Sequence, residues 1–405
     1  MISVEDARQN ILSHLTPVST ETVSINQAVG RILAEPIIAR RTQPPSDLSA
    51  MDGYAVQASD VATIPTTLTV IGESAAGHGF DGDVTAGSCV RIFTGAPLPA
   101  GADTIIIQED TTREGDQVTI TEGATKGRYV RPAGIDFKEG DAAFAPGHKI
   151  SPRDLGLLAA MNSPWVTVCR KPRIALLSTG DELVRPGEPL GANQIISTNA
   201  LVVAAMIEQA GGEAIDLGIA KDNEDSLRQM AGGAAKADML ITLGGASVGD
   251  HDLVQSVLGK DGLKIDFWRI AMRPGKPLMF GDLNGTPMLG LPGNPVSSMI
   301  CSYIFLIPAL DILMGKAAAS RPRTIPAILS HEVKENDRRQ DYVRARITGE
   351  EDGLPVIELF TNQDSSLLSR LSGADCLLMR PPHAPALPKG EKVEIALLQA
   401  GYPDV

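Results

Sequence analysis

The chain has 405 residues, enough for roughly two to four domains, and a single small binding module is excluded. Apolar residues make up 43% and charged residues 21%, which rules out bulk disorder and a collagen-like repeat. The 36 Lys and Arg against 49 Asp and Glu give a net charge of −13, so a nucleic-acid-binding surface is not expected, and an anionic small molecule would require a locally positive site.

Ser3 and Asp6 accompany apolar positions at Val4, Ala7, Ile11, Leu12 and Leu15, a spacing that predicts an opening amphipathic helix. Acidic Glu5 and Asp6 stand where an export signal needs a basic start. Cys89, Cys169, Cys301 and Cys376 are too far apart for a zinc motif, so reduced thiols and a cytoplasmic location are expected. NQAVGRILAEPII reads as a second short helix and RRTQPPSDLSAMDGY as a long loop. Across 68–120 the short β-rich runs LTVI, SCVRIFT, TIIIQED and QVTI alternate with turn signals and predict an inserted all-β unit, with helix returning at 152–161.

Around Lys171 the pattern becomes alternating strands and helices. PRIALLS, EAIDLGI and ADMLITL are apolar strands separated by helical segments, which predicts a doubly wound α/β domain with a parallel sheet covered on both faces. A ligand is then expected at the carboxyl ends of the strands. The apolar stretch 303–310 contains Pro308, precedes Asp311 and is too short to cross a bilayer, so a buried helix is expected. Beyond Arg321, runs at 325–329, 342–347, 355–360 and 392–398 predict a small C-terminal β domain. The expected division is 1–40 with 135–168 as a helical linker region, 41–134 as the inserted β domain, 169–318 as the α/β domain and 319–405 as the C-terminal domain.

Several segments carry candidate chemistry. LSTGDELVRPGE places Asp181 and Glu182 after a strand, where carboxylates can hold a divalent cation or accept from a heterocycle's N–H groups, although adjacent acids alone more often mark a solvated turn or helix cap. TLGGASVGDHD puts Gly244, Gly245 and Ser247 after a buried strand, so backbone N–H groups could cradle an oxyanion; Asp250, Asp252 and Asp222 could bring a metal to it. MRPGKP fixes Arg273 and Lys276 three residues apart, and LPGNPVSS places Pro295, Ser297 and Ser298 at a helix start. Asp52 in SAMDGY, Thr94 in RIFTGAPLPAGAD, and Arg128, Arg131 and Asp136 in GRYVRPAGID lie in loops that turn chemistry alone could explain. The six histidines form no catalytic arrangement with a serine or cysteine, and Trp165 and Trp268 read as core or interface aromatics.

SAMDGYAV, FTGAPLPAGADTII, LSTGDEL, LGGASVGD, MRPGKP and LPGNPVSS, in this order, closely resemble the MoeA-type molybdopterin molybdenumtransferases, a family that includes the E domain of gephyrin. The resemblance implies an elongated homodimer with a cleft between subunits. It implies a molybdopterin-binding α/β domain and a β-barrel-like C-terminal domain. The implied reaction takes adenylylated molybdopterin and molybdate, with Mg²⁺, to molybdenum cofactor and AMP. A non-catalytic scaffold and a molybdopterin adenylyltransferase are the alternatives.

By the same resemblance, Glu182, Asp222 and Asp252 would contact pterin or organise the metal, and Asp52 and Thr94 would reach in from the neighbouring subunit. Arg273, Lys276, Pro295, Ser297 and Arg344 would serve molybdate, with Arg131, Asp136, Asn199, Gly244, Gly245 and Ser247 completing the substrate set. A molybdopterin adenylyltransferase and recipient molybdoenzymes would be partners; nucleic acid and membrane would not. The chain departs from the family pattern at Ser197, where an acid is usual, at Arg273, where Lys is frequent, and at NQDSSLL in place of a Gly-Ser turn, which weakens any role for Ser365 or Ser366.

Overall fold

The computed structural model describes residues 1–245 and 253–398. The helix Val4–Ser13 begins where Ser3 Oγ accepts the Asp6 backbone N–H at 3.0 Å. Its buried face of Val4, Ala7 and Ile11 packs with Phe280, Phe305 and Leu310, so the first helix joins the core of the α/β body. The second helix expected in NQAVGRILAEPII is absent. Only a 3₁₀ turn, Ile25–Gln27, forms, after which Gly30 takes φ +80° and Ile32 and Leu33 enter isolated bridges with Lys149 and Val168. A left-handed glycine ends helical continuation, and cross-chain pairing takes over the apolar residues beyond it.

The inserted β unit is a six-stranded sheet in the order Thr104–Ile107, Gly53–Val56, Ser88–Ile92, Thr66–Ser74, Gln117–Ile120, Thr111–Glu114. Both faces are covered, one by Val56, Leu68, Ile106 and Val118, the other by Ala55, Val90, Ile92 and Ile105. The chain then returns to the helix Pro152–Ala160, whose start is closed by a reciprocal Ser151 and Asp154 capping box with Pro at the first turn.

The α/β sheet runs Glu213–Ala220, Arg173–Thr179, Met239–Leu243, Thr286–Leu291, Met279–Leu283, Leu263–Trp268. The first four strands are parallel; Met279–Leu283 runs against them, and Leu263–Trp268 is antiparallel to Met279–Leu283. Helices Asn199–Ala210 and Pro295–Cys301 cover one face, and Glu224–Ala231 and Leu253–Lys260 the other. Successive strands leave Arg173–Thr179 in opposite directions, so the switch point lies between Thr179 and Leu243, where the ends diverge into a crevice.

The stretch expected as a short buried helix belongs to a longer one, Pro295–Leu313, of which 89% is buried inside the protein. Its turns widen at Ser302–Leu306, just before Pro308, which cannot supply the N–H of a regular turn.

The C-terminal strands Thr324–Leu329, Gln340–Glu351, Leu354–Leu359, Cys376–Arg380 and Lys392–Leu397 close into a five-stranded barrel. Cys376–Arg380, an apolar run not expected from the sequence, is the strand that completes the closure. Met272–Arg273 of the α/β body pairs with Gln340 and Asp341, which fastens the barrel beside the crevice.

Candidate active site

A cleft of about 890 Å³ opens at the carboxyl ends of the parallel strands and is walled on one side by the C-terminal barrel. Its floor is made by three strand ends that approach with little side chain between them. Gly244 and Gly245 have φ +94° and +65°, and a Cβ on Gly245 would lie 2.4 Å from Val254 Cγ2. Gly293 lies across from them, its own Cβ position 3.7 Å from the Gly244 Cα. The crowding at Gly245 and the positive φ of Gly244 and Gly245 require glycine, and the Gly244 N–H donates to the Leu291 carbonyl at 3.2 Å.

Glu182 lines the cleft one turn beyond Thr179. Gly180, at φ +143°, makes room for it, since a Cβ there would sit 2.3 Å from Glu182 Oε2. Among the described residues the Glu182 carboxylate has no hydrogen-bond or ion-pair partner. Asp222 does not line the cleft; its loop is locked to that of Asp181, each carboxylate accepting the other residue's backbone N–H at 3.2 Å. Asn199 lines the cleft and donates through Nδ2 to the Gly293 carbonyl at 2.7 Å, tying a helix start to the PGNP turn.

Three cations also line the cleft: Arg273, Lys276 and Arg339. Arg273 is committed to its neighbours. Its guanidinium pairs with Asp341, donates to Asn336 Oδ1 at 3.2 Å and reaches Asp337 at 3.4 Å. Arg339, which no motif in the sequence marks, donates through Nη2 to Asp337 Oδ2 at 2.8 Å. The Arg339 side-chain bond, then its backbone N–H, hold the Asp337 carboxyl down at about 2. Lys276 has no side-chain partner among the described residues, which leaves its ammonium available to a bound anion. Gly275, at φ +115°, allows the loop to press onto Cys301, whose Sγ would lie 2.5 Å from an added Cβ.

Pro295 and Ser297 line the cleft at the head of the long helix, and the barrel contributes Gln363, Asp364, Ser365 and Ser366. Ser365 is docked across the cleft wall: its carbonyl accepts the Val296 N–H at 3.1 Å and its hydroxyl accepts from Asn294 at 2.8 Å. Ser365 and Ser366 thus stand at the cleft despite the unusual NQDSSLL segment.

The remaining expected residues are elsewhere. Asp52 and Thr94 meet each other in the inserted β unit and do not line the cleft. The Thr94 backbone N–H, then its hydroxyl, lower the Asp52 carboxyl below its ordinary range. Arg131 and Asp136 are exposed and do not line the cleft. Arg344 is buried behind the barrel wall, with its guanidinium turned to Gln363, Asp364 and Leu367. Ser247, Asp250 and Asp252 lie outside the described residues. Among the described residues no three His, Cys, Asp or Glu side chains converge to hold a metal, and of the expected acid set Glu182 and Asp222 can be located.

Three family descriptions match successive parts of the chain: the MoeA N-terminal region (domain I and II) over residues 2–162, a probable molybdopterin binding domain over 175–312, and the MoeA C-terminal region (domain IV) over 326–398. A molybdopterin molybdenumtransferase of Haemophilus influenzae is 37% identical over 398 residues, covering 98% of this chain and 98% of that protein. The chain belongs to the molybdopterin molybdenumtransferase family. Another member, from Nostoc sp., is 37% identical over 85% of this chain and 81% of its own. A solved molybdopterin biosynthesis MoeA protein from Pyrococcus horikosii superposes with a TM-score of 0.86 at 32% identity, covering 99% of this chain and all of that one. As a molybdopterin molybdenumtransferase family member, the chain is a transferase of molybdenum cofactor biosynthesis, and its cleft is shared by the regions matching the molybdopterin binding domain and domain IV.

Proposed function

We propose that the cleft takes adenylylated molybdopterin and molybdate and transfers molybdenum to the dithiolene with release of AMP. The observation that carries this reading is that Lys276 and Glu182, whose ammonium and carboxylate have no partner among the described residues, line the same glycine-floored cleft. Molybdate and phosphate are tetrahedral oxyanions. Lys276 supplies a point charge, Ser297 and Ser365 supply hydroxyls, and Gly245 brings backbone close. Asn199 holds the PGNP turn so that these donors keep one geometry.

Glu182 supplies hard oxygen donors in the cleft, and Mg²⁺ usually needs only one or two carboxylates beside substrate phosphates, so this carboxylate suits that ion. When bound, Mg²⁺ would neutralise charge on the leaving adenylate. The Asp52 and Thr94 pair, which lies away from the cleft of its own chain, supports a twofold assembly in which it serves the neighbouring subunit. Four buried free thiols suit a cytoplasmic setting. An adenylyltransferase would supply the substrate and apo molybdoenzymes would receive the product.

The test is incubation of the purified protein with adenylylated molybdopterin, molybdate and Mg²⁺. Stoichiometric AMP release, together with product that activates an apo molybdoenzyme, is expected. Bound pterin without AMP release would leave only a binding role, and AMP formation from ATP-independent controls lacking molybdate would refute coupling to the metal.

A further inference from the structure

We propose that Arg91 is the positioning residue of the inserted β unit that sets Asp52 and Thr94 for the site of a neighbouring subunit; this rests on the reading that the pair completes that site. Arg91 stands near the end of the strand Ser88–Ile92, with Tyr54 opposite it in the register. Its Nη1 donates to the Gly53 carbonyl at 3.1 Å and its Nη2 to Gln108 Oε1 at 2.7 Å. The guanidinium carbon lies 5.2 Å from the centre of the Tyr54 ring and 4.8 Å from that of Phe93.

One side chain thus grips the residues that flank both partners. Gly53 and Tyr54 follow Asp52, Phe93 precedes Thr94, and the Gln108 N–H donates to the Asp52 carbonyl at 3.1 Å. Asp52 and Thr94 are themselves exposed, so packing around their own side chains does not place them. Gly53 fixes where the loop meets the sheet, since a Cβ there would collide with the Ile106 carbonyl.

Asp52 Oδ1 takes both Thr94 donors, which leaves Oδ2 as the oxygen with no bond among the described residues. The direction of that oxygen is decided by the backbone at 52–54 and 93–94, the same backbone that Arg91 bonds or lies against. A lysine would keep the charge, but its ammonium cannot reach two acceptors as a planar fork and lie flat on two rings. Both end nitrogens of Arg91 are engaged within their own chain, so the residue acts on the neighbouring site through Asp52 and Thr94. A shift of these groups by a fraction of an ångström is enough to slow a reaction they serve.

The test mixes full-length variants and reads AMP release. Arg91→Gln should lower turnover about tenfold. Refolded in equal amounts with Glu182→Ala, it should recover about a quarter of wild-type turnover, because each mixed dimer keeps one site with a sound loop and an intact Glu182. Refolded with Asp52→Ala it should stay at or below about a tenth, because every site then receives a faulty loop. By amide exchange, the Thr94 and Gln108 N–H groups, both bonded to Asp52, should exchange about tenfold faster in Arg91→Gln, while the strand Thr66–Ser74 keeps its protection. Should Arg91→Gln fail to fold, Gln108→Ala changes an exposed residue, releases one of the two bonds, and should give the same pattern with a loss of about threefold. Full turnover in Arg91→Gln would overturn the proposal. Rescue by Asp52→Ala but not by Glu182→Ala would do so as well, because it would place the effect of Arg91 in the cleft of its own chain. If Asp52→Ala and Glu182→Ala fail to rescue each other in a proven dimer, the shared-site reading falls instead; faster exchange at Thr94 would still assign Arg91 to the pair, and unchanged exchange would remove it.

Discussion

Asp52 Oδ1 accepts both the backbone N–H of Thr94, at 2.7 Å, and its hydroxyl, at 2.8 Å, so these two loop residues behave as one exposed unit outside the cleft of their own chain. If that unit completes the site of a neighbouring subunit, inactive variants should rescue each other. Refolding Asp52→Ala with Glu182→Ala in equal amounts should restore about a quarter of wild-type turnover, because half the dimers are mixed and each has one intact site. AMP release from the mixture checks this. No recovery, with dimers present by light scattering, would remove Asp52 from a shared site.

Lys276 and Arg273 are separated by two residues and should respond oppositely. Lys276→Ala removes a cation with no side-chain partner among the described residues, so unfolding free energy should stay within about 0.5 kcal/mol while molybdate affinity falls at least tenfold. Arg273→Ala leaves Asp341, 6% exposed and with Oδ1 already unbonded, without its guanidinium. A loss of roughly 2–3 kcal/mol is expected. Denaturant titration and calorimetry on the same two proteins distinguish the roles.

Gly180→Ala tests the placement of Glu182. The new methyl would overlap Oε2, and the φ of +143° is itself unfavourable to alanine. The carboxylate must swing away, so turnover should drop nearly as far as in Glu182→Ala, with stability reduced by about 1–2 kcal/mol. Retention of full activity would show that Glu182 has no fixed position in the reaction.

Asp337 predicts a pH signature. Its carboxyl is held at about 2 by Arg339, below an unfolded value of about 4. A depressed carboxyl contributes stability above the unfolded value and loses it as pH falls through the folded one. The contribution should therefore vanish between about pH 4 and pH 2. Carbon-detected NMR titration should place Asp337 near the lower end, and Arg339→Gln should return it toward the ordinary range while flattening the loss of unfolding temperature across that window.

Much of this site was legible because it is made of short segments at strand ends. Gly244, Gly245, Glu182, Lys276 and Ser297 could be singled out from turn chemistry and brought to one edge by the parallel-sheet rule. Arg339 and Gln363 were not legible, since nothing near them in sequence signals a ligand; Met272 pairing with Gln340 and closure by Cys376–Arg380 bring them to the cleft. Asp364 shows how a Gly-Ser turn can be replaced. Its side chain bonds the Ser366 N–H and fixes the bend that glycine would reach by backbone freedom. The failed helix after Gln27 has the reverse lesson: Ile32 and Leu33 have helical spacing to their neighbours but find better partners across the chain.

The helix Pro295–Leu313 has the length and greasiness of a bilayer rod, yet the first residues of the chain lie against it, with Ile11 in its packing and the Val18 N–H on the Leu313 carbonyl at 2.9 Å. The opening helix thus serves as a stopper. A fragment trimmed of its first turns would display a bare apolar cylinder, ready to stick to lipid, detergent or another unfinished copy of itself.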